Sequence, residues 1–199
     1  MSVPWLALAA VVILALPALS LVVRQATEAM RFYRSSRRPQ LDSPLEPSWI
    51  RGRVGFGDID PNIHMTNARY LTLVDRGRFD LMMRLGFVRL FFRSGVRPMV
   101  GTTVIRYRRG LDLFARYTLH SRFLGWDDKW FYMEHRFELA GRTAVMVVAK
   151  FLMVRKGEKL APVDMLNQML GPDAVPPSPE LPEHARVLLR DSDPMLSPD

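Results

Sequence analysis

Asp58 and Asp60 stand two residues apart in the stretch FGDIDPNIHMTNARYL, residues 56–71, with His64 and Asn67 close behind. Two carboxylates and an imidazole this close together are the groups that acid–base or carboxylate nucleophilic chemistry uses. Asp58 and Asp60 would supply such carboxylates, and His64 could orient Asp60 or a substrate. Asn67 is the candidate N-cap of a following helix, whose positive end offers backbone N–H groups to a carbonyl oxygen. Asp75, further along that helix, either positions water or pairs with Arg78 or Arg69. The same residue types also cap turns and helices, so spacing alone leaves a structural reading open. The chain has no cysteine, which excludes thiol nucleophiles, disulfides and cysteine metal sites. The chemistry expected of the turn requires no metal.

The elements that must hold these residues follow from periodicity and punctuation. Residues 50–57 form a short strand candidate. Asn67–Leu85 predicts a helix closed by Gly86, with apolar residues around much of its circumference, so the helix is expected to be buried. Four strand candidates follow at 99–109, 115–126, 130–139 and 143–154, joined by short turn-like links. Residues 163–170 add a last short helix. The expected class is α+β, an antiparallel sheet wrapped around one long central helix. "RYRR" places Arg106, Arg108 and Arg109 at a strand end, where arginines either bind phosphate groups by bidentate contact or stand solvated.

The chain is 199 residues long, 48% hydrophobic, with a net charge of +8. That composition excludes a wholly disordered chain, and the charge favours anionic partners. Nucleic acid is not expected, because no binding motif is present and the aromatics fall at core spacing. Val3–Val23 carries no charge and would span about 30 Å as a helix. Arg24, Arg31, Arg34, Arg37 and Arg38 follow it. The expectation is a single-pass transmembrane anchor at 1–23, in contact with membrane lipids and with the folded part on the cytoplasmic side; the alternative is a cleaved signal, which would export the folded part. A basic, proline-rich connector is expected at 24–48, a globular domain at 49–170, and a proline-rich disordered tail at 171–199 with a short helix near 183–189.

The element order and the motif together resemble the hot-dog fold of the 4-hydroxybenzoyl-CoA thioesterase-like family. Asp58, Asp60, His64, Asn67 and Tyr70 fall in register with that family's signature, while Ile63 stands where it carries glycine and Thr66 where it carries the first of two asparagines. "LGWDDKWFYMEHRF", residues 124–137, and the apolar N-terminus resemble the membrane-associated, member-six-like branch of the thioesterase superfamily. The resemblance implies hydrolysis of an acyl thioester, with Asp60 attacking the carbonyl or activating water. It implies coenzyme A as part of the substrate and no separate cofactor, with Arg106, Arg108 and Arg109 suited to its phosphates. It also implies a homodimer or higher homo-oligomer. The alternatives are a hot-dog protein that binds acyl-CoA or lipid without turning it over, and an enoyl-CoA hydratase of the same fold.

Overall fold

In a computed structural model, the described residues are 37–87, 94–171 and 175–190, together with 26, 27, 30, 33, 34 and 91. The expected anchor at 1–23 lies outside them. Among the described residues no helix is long and apolar enough to cross a membrane.

The chain runs β1 (Ser48–Arg53), a 3-10 turn (Phe56–Asp58), α1 (Asn67–Arg84), β2 (Arg97–Tyr107), β3 (Arg116–Trp126), β4 (Phe131–Leu139), β5 (Arg142–Arg155), β6 (Glu158–Leu160), α2 (Pro162–Leu170) and α3 (Glu183–Arg190). The strands form one antiparallel sheet in the order β1-β3-β4-β5-β2, with β6 pairing β5. Alternation along the strands divides the sheet into two faces. Leu119, Phe137, Val145 and Val147 pack with Tyr70, Leu73 and Val74 of α1 on the inner face. Further along, Phe123, Phe131, Met133 and Phe151 pack with Leu81 and Met82. The helix approaches the sheet most closely at Gly77, where a Cβ would collide with the Ser121 hydroxyl and the Leu119 side chain.

The interface between α1 and the sheet also holds a polar layer that periodicity alone does not reveal. Ser48 donates a short hydrogen bond to Asp80, and both are buried. The Ser121 hydroxyl lies 2.8 Å from Nδ1 of fully buried His135. Arg78 is buried too, its guanidinium set over the Phe151 ring.

The folded unit extends past the expected 49–170 at both ends. Leu41 joins the core, and its N–H donates to the Arg84 carbonyl. The tail expected to be disordered is packed over residues 175–190. The Ser178 hydroxyl accepts from the Trp126 N–H and donates to the Trp126 carbonyl. Gly125, at φ +152, lets the Pro179 carbonyl and the Ser178 hydroxyl lie against β3. Leu181, Ala185, Leu188 and Leu189 cover Leu124, Val148 and Tyr132 on the outer face. His184 Nε2 sits 2.6 Å from the buried carboxylate of Glu134, which Arg122 and Arg136 also hold. Prolines prevent helix in the approach to α3, but its apolar stripe buries enough surface to order the segment.

Burial, with the nearby Arg78 charge, pushes His135 down from 6.5 to about 3. The unfolded chain therefore takes up a proton near pH 6.5 that the native state refuses, so this group's contribution is full above that pH and fades in acid. We expect the wild type to lose about 2 kcal/mol more than His135→Gln between about pH 6.5 and about pH 5. Urea unfolding at the two pH values checks this, and parallel losses in the two proteins would contradict it.

Candidate active site

The aspartate turn forms because Asp60-Pro61-Asn62-Ile63 is a sequence that folds back on itself: Pro61 presets φ and Asp60 supplies an acceptor. The Ile63 N–H donates to the Asp60 carbonyl, and the Asp60 N–H donates to the His64 carbonyl. Oδ1 of Asp60 accepts the N–H of Asn62 at 2.9 Å and that of His64 at 3.3 Å. Oδ2 has no hydrogen-bond partner among the described residues. One oxygen thus holds the turn while the other is left for chemistry. Asp58 is committed elsewhere: its carboxylate accepts the Gly55 N–H at 2.8 Å and pairs with Arg69 Nε at 2.6 Å.

The helix start differs from expectation by one residue. Thr66, in extended backbone, is the N-cap of α1, and its hydroxyl accepts from the Arg69 N–H. Asn67 is the first helical residue and is exposed, so its side chain does not cap. The hydroxyl at 66 takes the role because it reaches the third helical N–H from a non-helical residue. The N–H groups of Asn67 and Ala68 have no partner among the described residues. They stand at the positive end of α1, where unpaired donors favour an oxyanion.

His64 does not orient the Asp60 carboxylate through its ring. Its Nε2 lies 3.1 Å from Asp112, and the two residues form an isolated bridge. Asp112 also stands 3.9 Å from Arg109. The turn is therefore bound to the loop after β2: the Met65 N–H donates to the Leu111 carbonyl and the Leu113 N–H to the Ile63 carbonyl. Tyr70 fixes the same loop from the helix, its buried hydroxyl accepting the Leu111 N–H at 3.0 Å. Burial raises the Tyr70 hydroxyl above its ordinary value, which keeps it neutral. Asp112 and Arg69 give no sequence signal for these roles, and Thr66 carries only the general capping preference it shares with Asn67. Asp112 lies in "RGLDLF", which reads only as a turn.

The remaining candidates are dispersed. Asp75 lies on the exposed side of α1, 2.9 Å from Arg78. It stands between exposed Leu71 and Phe79, one turn away on either side. Arg106 pairs with Met146 and so points to the outer face, opposite Tyr107 and the helix. Arg108 and Arg109 both donate a backbone N–H to the Ala144 carbonyl, and of the three arginines only Arg109 reaches the loop bound to the turn. Among the described residues no three His, Asp or Glu side chains gather as a metal site.

This fold and turn place the protein in a class. The chain belongs to the thioesterase-like superfamily, whose sequence profile matches residues 54–185. It is 42% identical over 88 residues to protein THEM6 of Danio rerio, covering 44% of each chain. It is 29% identical over 161 residues to thioesterase lcsJ of Purpureocillium lilacinum, covering 68% of this chain and 51% of that one. It therefore spans about half or less of the length of these relatives. Its fold is that of the YbaW probable thioesterase from Escherichia coli, at TM-score 0.57 and 20% identity over 62% of this chain and 96% of the other. The fold is the hot-dog thioesterase fold, an antiparallel sheet with helices.

Ile63 carries the family's departure at a measurable cost. It holds φ +63, and Phe114, in the facing loop, holds φ +66. A β-branched residue in the left-handed region stores about 1–2 kcal/mol. Ile63 is 57% exposed, so little burial offsets that strain. We expect Ile63→Gly to stabilise the fold by about 1 kcal/mol in urea unfolding. A loss of similar size would show that the isoleucine is not strained there.

Proposed function

We propose that the protein is an acyl-CoA thioesterase in which Asp60 performs the hydrolytic step. The observation that carries this reading is the division of labour within one carboxylate: Oδ1 is fixed by two amides and Oδ2 is unengaged. Oδ2 takes the proton of an attacking water or itself attacks the thioester carbonyl. The carbonyl oxygen gathers charge beside the free N–H groups of Asn67 and Ala68 at the helix start. The C–S bond then breaks, and the thiolate leaves and takes up a proton. Where water attacks, the acid forms directly; where Oδ2 attacks, C–S cleavage leaves an acyl–Asp60 anhydride that a water then hydrolyses, so either route consumes one water and yields a carboxylic acid and a free thiol. His64 and Asp112 stiffen the turn, while Arg109, paired with Asp112 beside it, offers positive charge to the phosphates of coenzyme A, which is part of the substrate. Family membership and the thioesterase name of the fungal relative support the reaction class.

The assignment extends to setting. Residues 1–23 anchor the chain in a membrane, with the arginines after them and the folded unit on the cytoplasmic side. The chain forms a homodimer. In support, among the described residues β2 ends the sheet with one edge unpaired, and Met99 and Val100 at its start are exposed, as are Leu71 and Phe79 on α1.

The test is free-thiol release from acyl-CoAs of varied chain length by the full chain in mild detergent. Asp60→Asn keeps the oxygen that accepts the two amides and removes the base, so we expect turnover to fall about a hundredfold with the fold unchanged. The wild type should elute as a dimer. Undiminished turnover in the variant would remove Asp60 from the mechanism. Acyl-CoA binding without turnover in the wild type would replace the enzyme with a binding protein.

A further inference from the structure

We propose that the outer surface along β1 is a docking face for an anionic lipid bilayer. Trp49, Arg51 and Arg53 alternate onto one side of this edge strand, opposite His120, Thr118 and Arg116 of β3. The Arg51 guanidinium lies 5.0 Å from the Trp49 ring centre, and the Arg53 guanidinium 4.8 Å from that of Phe114. Phe56 meets Phe114 edge-on at 5.2 Å. The result is two aromatic–guanidinium groups side by side along the strand, with Trp49 44%, Phe114 45% and Phe56 74% exposed. Arg51, Arg53 and Arg116 line a groove of about 530 Å³. Glu138, the carboxylate lining that groove, is already paired with His120 at 3.1 Å.

Exposed rings alone would mark any contact surface, so the charge decides the occupant. Three arginines on one face repel the same face of a second copy. They attract lipid phosphates and carboxylates, while aromatic rings with a polar or cationic neighbour settle at the depth of the headgroups. The edge-on Phe56–Phe114 pair presents no open stacking platform for bases, which disfavours single-stranded nucleic acid. Phe56 belongs to the same 3-10 turn as Asp58, and Phe114 lies two residues beyond Asp112. Docking on this face therefore puts the aspartate turn beside the headgroups, within reach of a thioester whose acyl chain lies in the bilayer. This function for the docking rests on the thioesterase reading; the docking itself does not.

Absence of native cysteine makes single-site labelling clean. Gly57→Cys, where a Cβ meets nothing within 4 Å, carries a fluorophore at the proposed face. Asp128→Cys carries it in the β3–β4 turn, at the opposite end of the sheet, and Ser20→Cys reports on the N-terminal apolar run. The full chain is reconstituted with phosphatidylcholine alone or mixed with phosphatidylserine, each containing a lipid-borne quencher. We expect quenching at 57, well above that at 128, only with phosphatidylserine present, and its loss in high salt. Each Arg→Gln change at 51, 53 or 116 should weaken the association of this face about fivefold. Equal quenching at 57 and 128, or none at 57 with phosphatidylserine, overturns the proposal whatever label 20 reports. A response of label 57 to single-stranded RNA but not to lipid overturns it as well. Loss of quenching at 20 alone would count against the anchor and leave the face judged by label 57.

Discussion

The candidate chemistry depends on one short-range constraint: Oδ1 of Asp60 closes its own turn by accepting the N–H groups of Asn62 and His64. A carboxylate that is fixed at one oxygen loses little freedom when the other reacts, and that is the advantage of positioning before reaction. The turn alone would be too small to hold this geometry. It is stitched to the 108–114 loop by the Met65 and Leu113 amides, by the His64–Asp112 pair and by the Tyr70 hydroxyl. Tyr70 in turn is buried between Tyr107 and Phe137, so the packing of α1 on the sheet reaches the turn through this ring as well as through the Arg69–Asp58 pair.

The inner face shows how the helix comes to lie at the right place. Gly77 sets the closest approach, with the Ser121–His135 contact directly beneath it. Ser48 and Asp80 join β1 to the far half of α1. These buried polar groups fix which surfaces meet, while the apolar residues on both sides supply most of the burial. Ile63 and Phe114 hold left-handed backbone in the two stitched loops, as Ala140 and Lys156 do in the β4–β5 and β5–β6 turns.

Much of this was legible in the sequence. Alternation marked β3 and β4, and the continuous apolar run marked β5 as a central strand. The spacing of Asp58, Asp60 and His64 pointed to the turn. What remained hidden was long-range. Nothing local distinguishes Asp112, 48 residues from His64, from any other turn aspartate. The cap moved from Asn67 to Thr66 because both types cap well and only backbone conformation decides between them. Arg106, Arg108 and Arg109 read as one cluster, but alternation sends Arg106 to the face opposite Tyr107 and the strand ends there, so Arg108 and Arg109 lie in the following loop. The tail read as disordered because prolines dominate its start, while the small apolar stripe of α3 matters only once Leu124 and Val148 are known to be uncovered beneath it.

The most direct measurement of the central claim is a crystal structure of the protein with a non-hydrolysable acyl-CoA analogue whose sulfur is replaced by a methylene group. Chemistry at Asp60 requires the analogue's carbonyl carbon within about 3.5 Å of its Oδ2, or of a water held by it, with the carbonyl oxygen turned to the Asn67 and Ala68 amides. An analogue bound with its carbonyl away from the turn, while Oδ2 stays solvated and idle, would contradict the account.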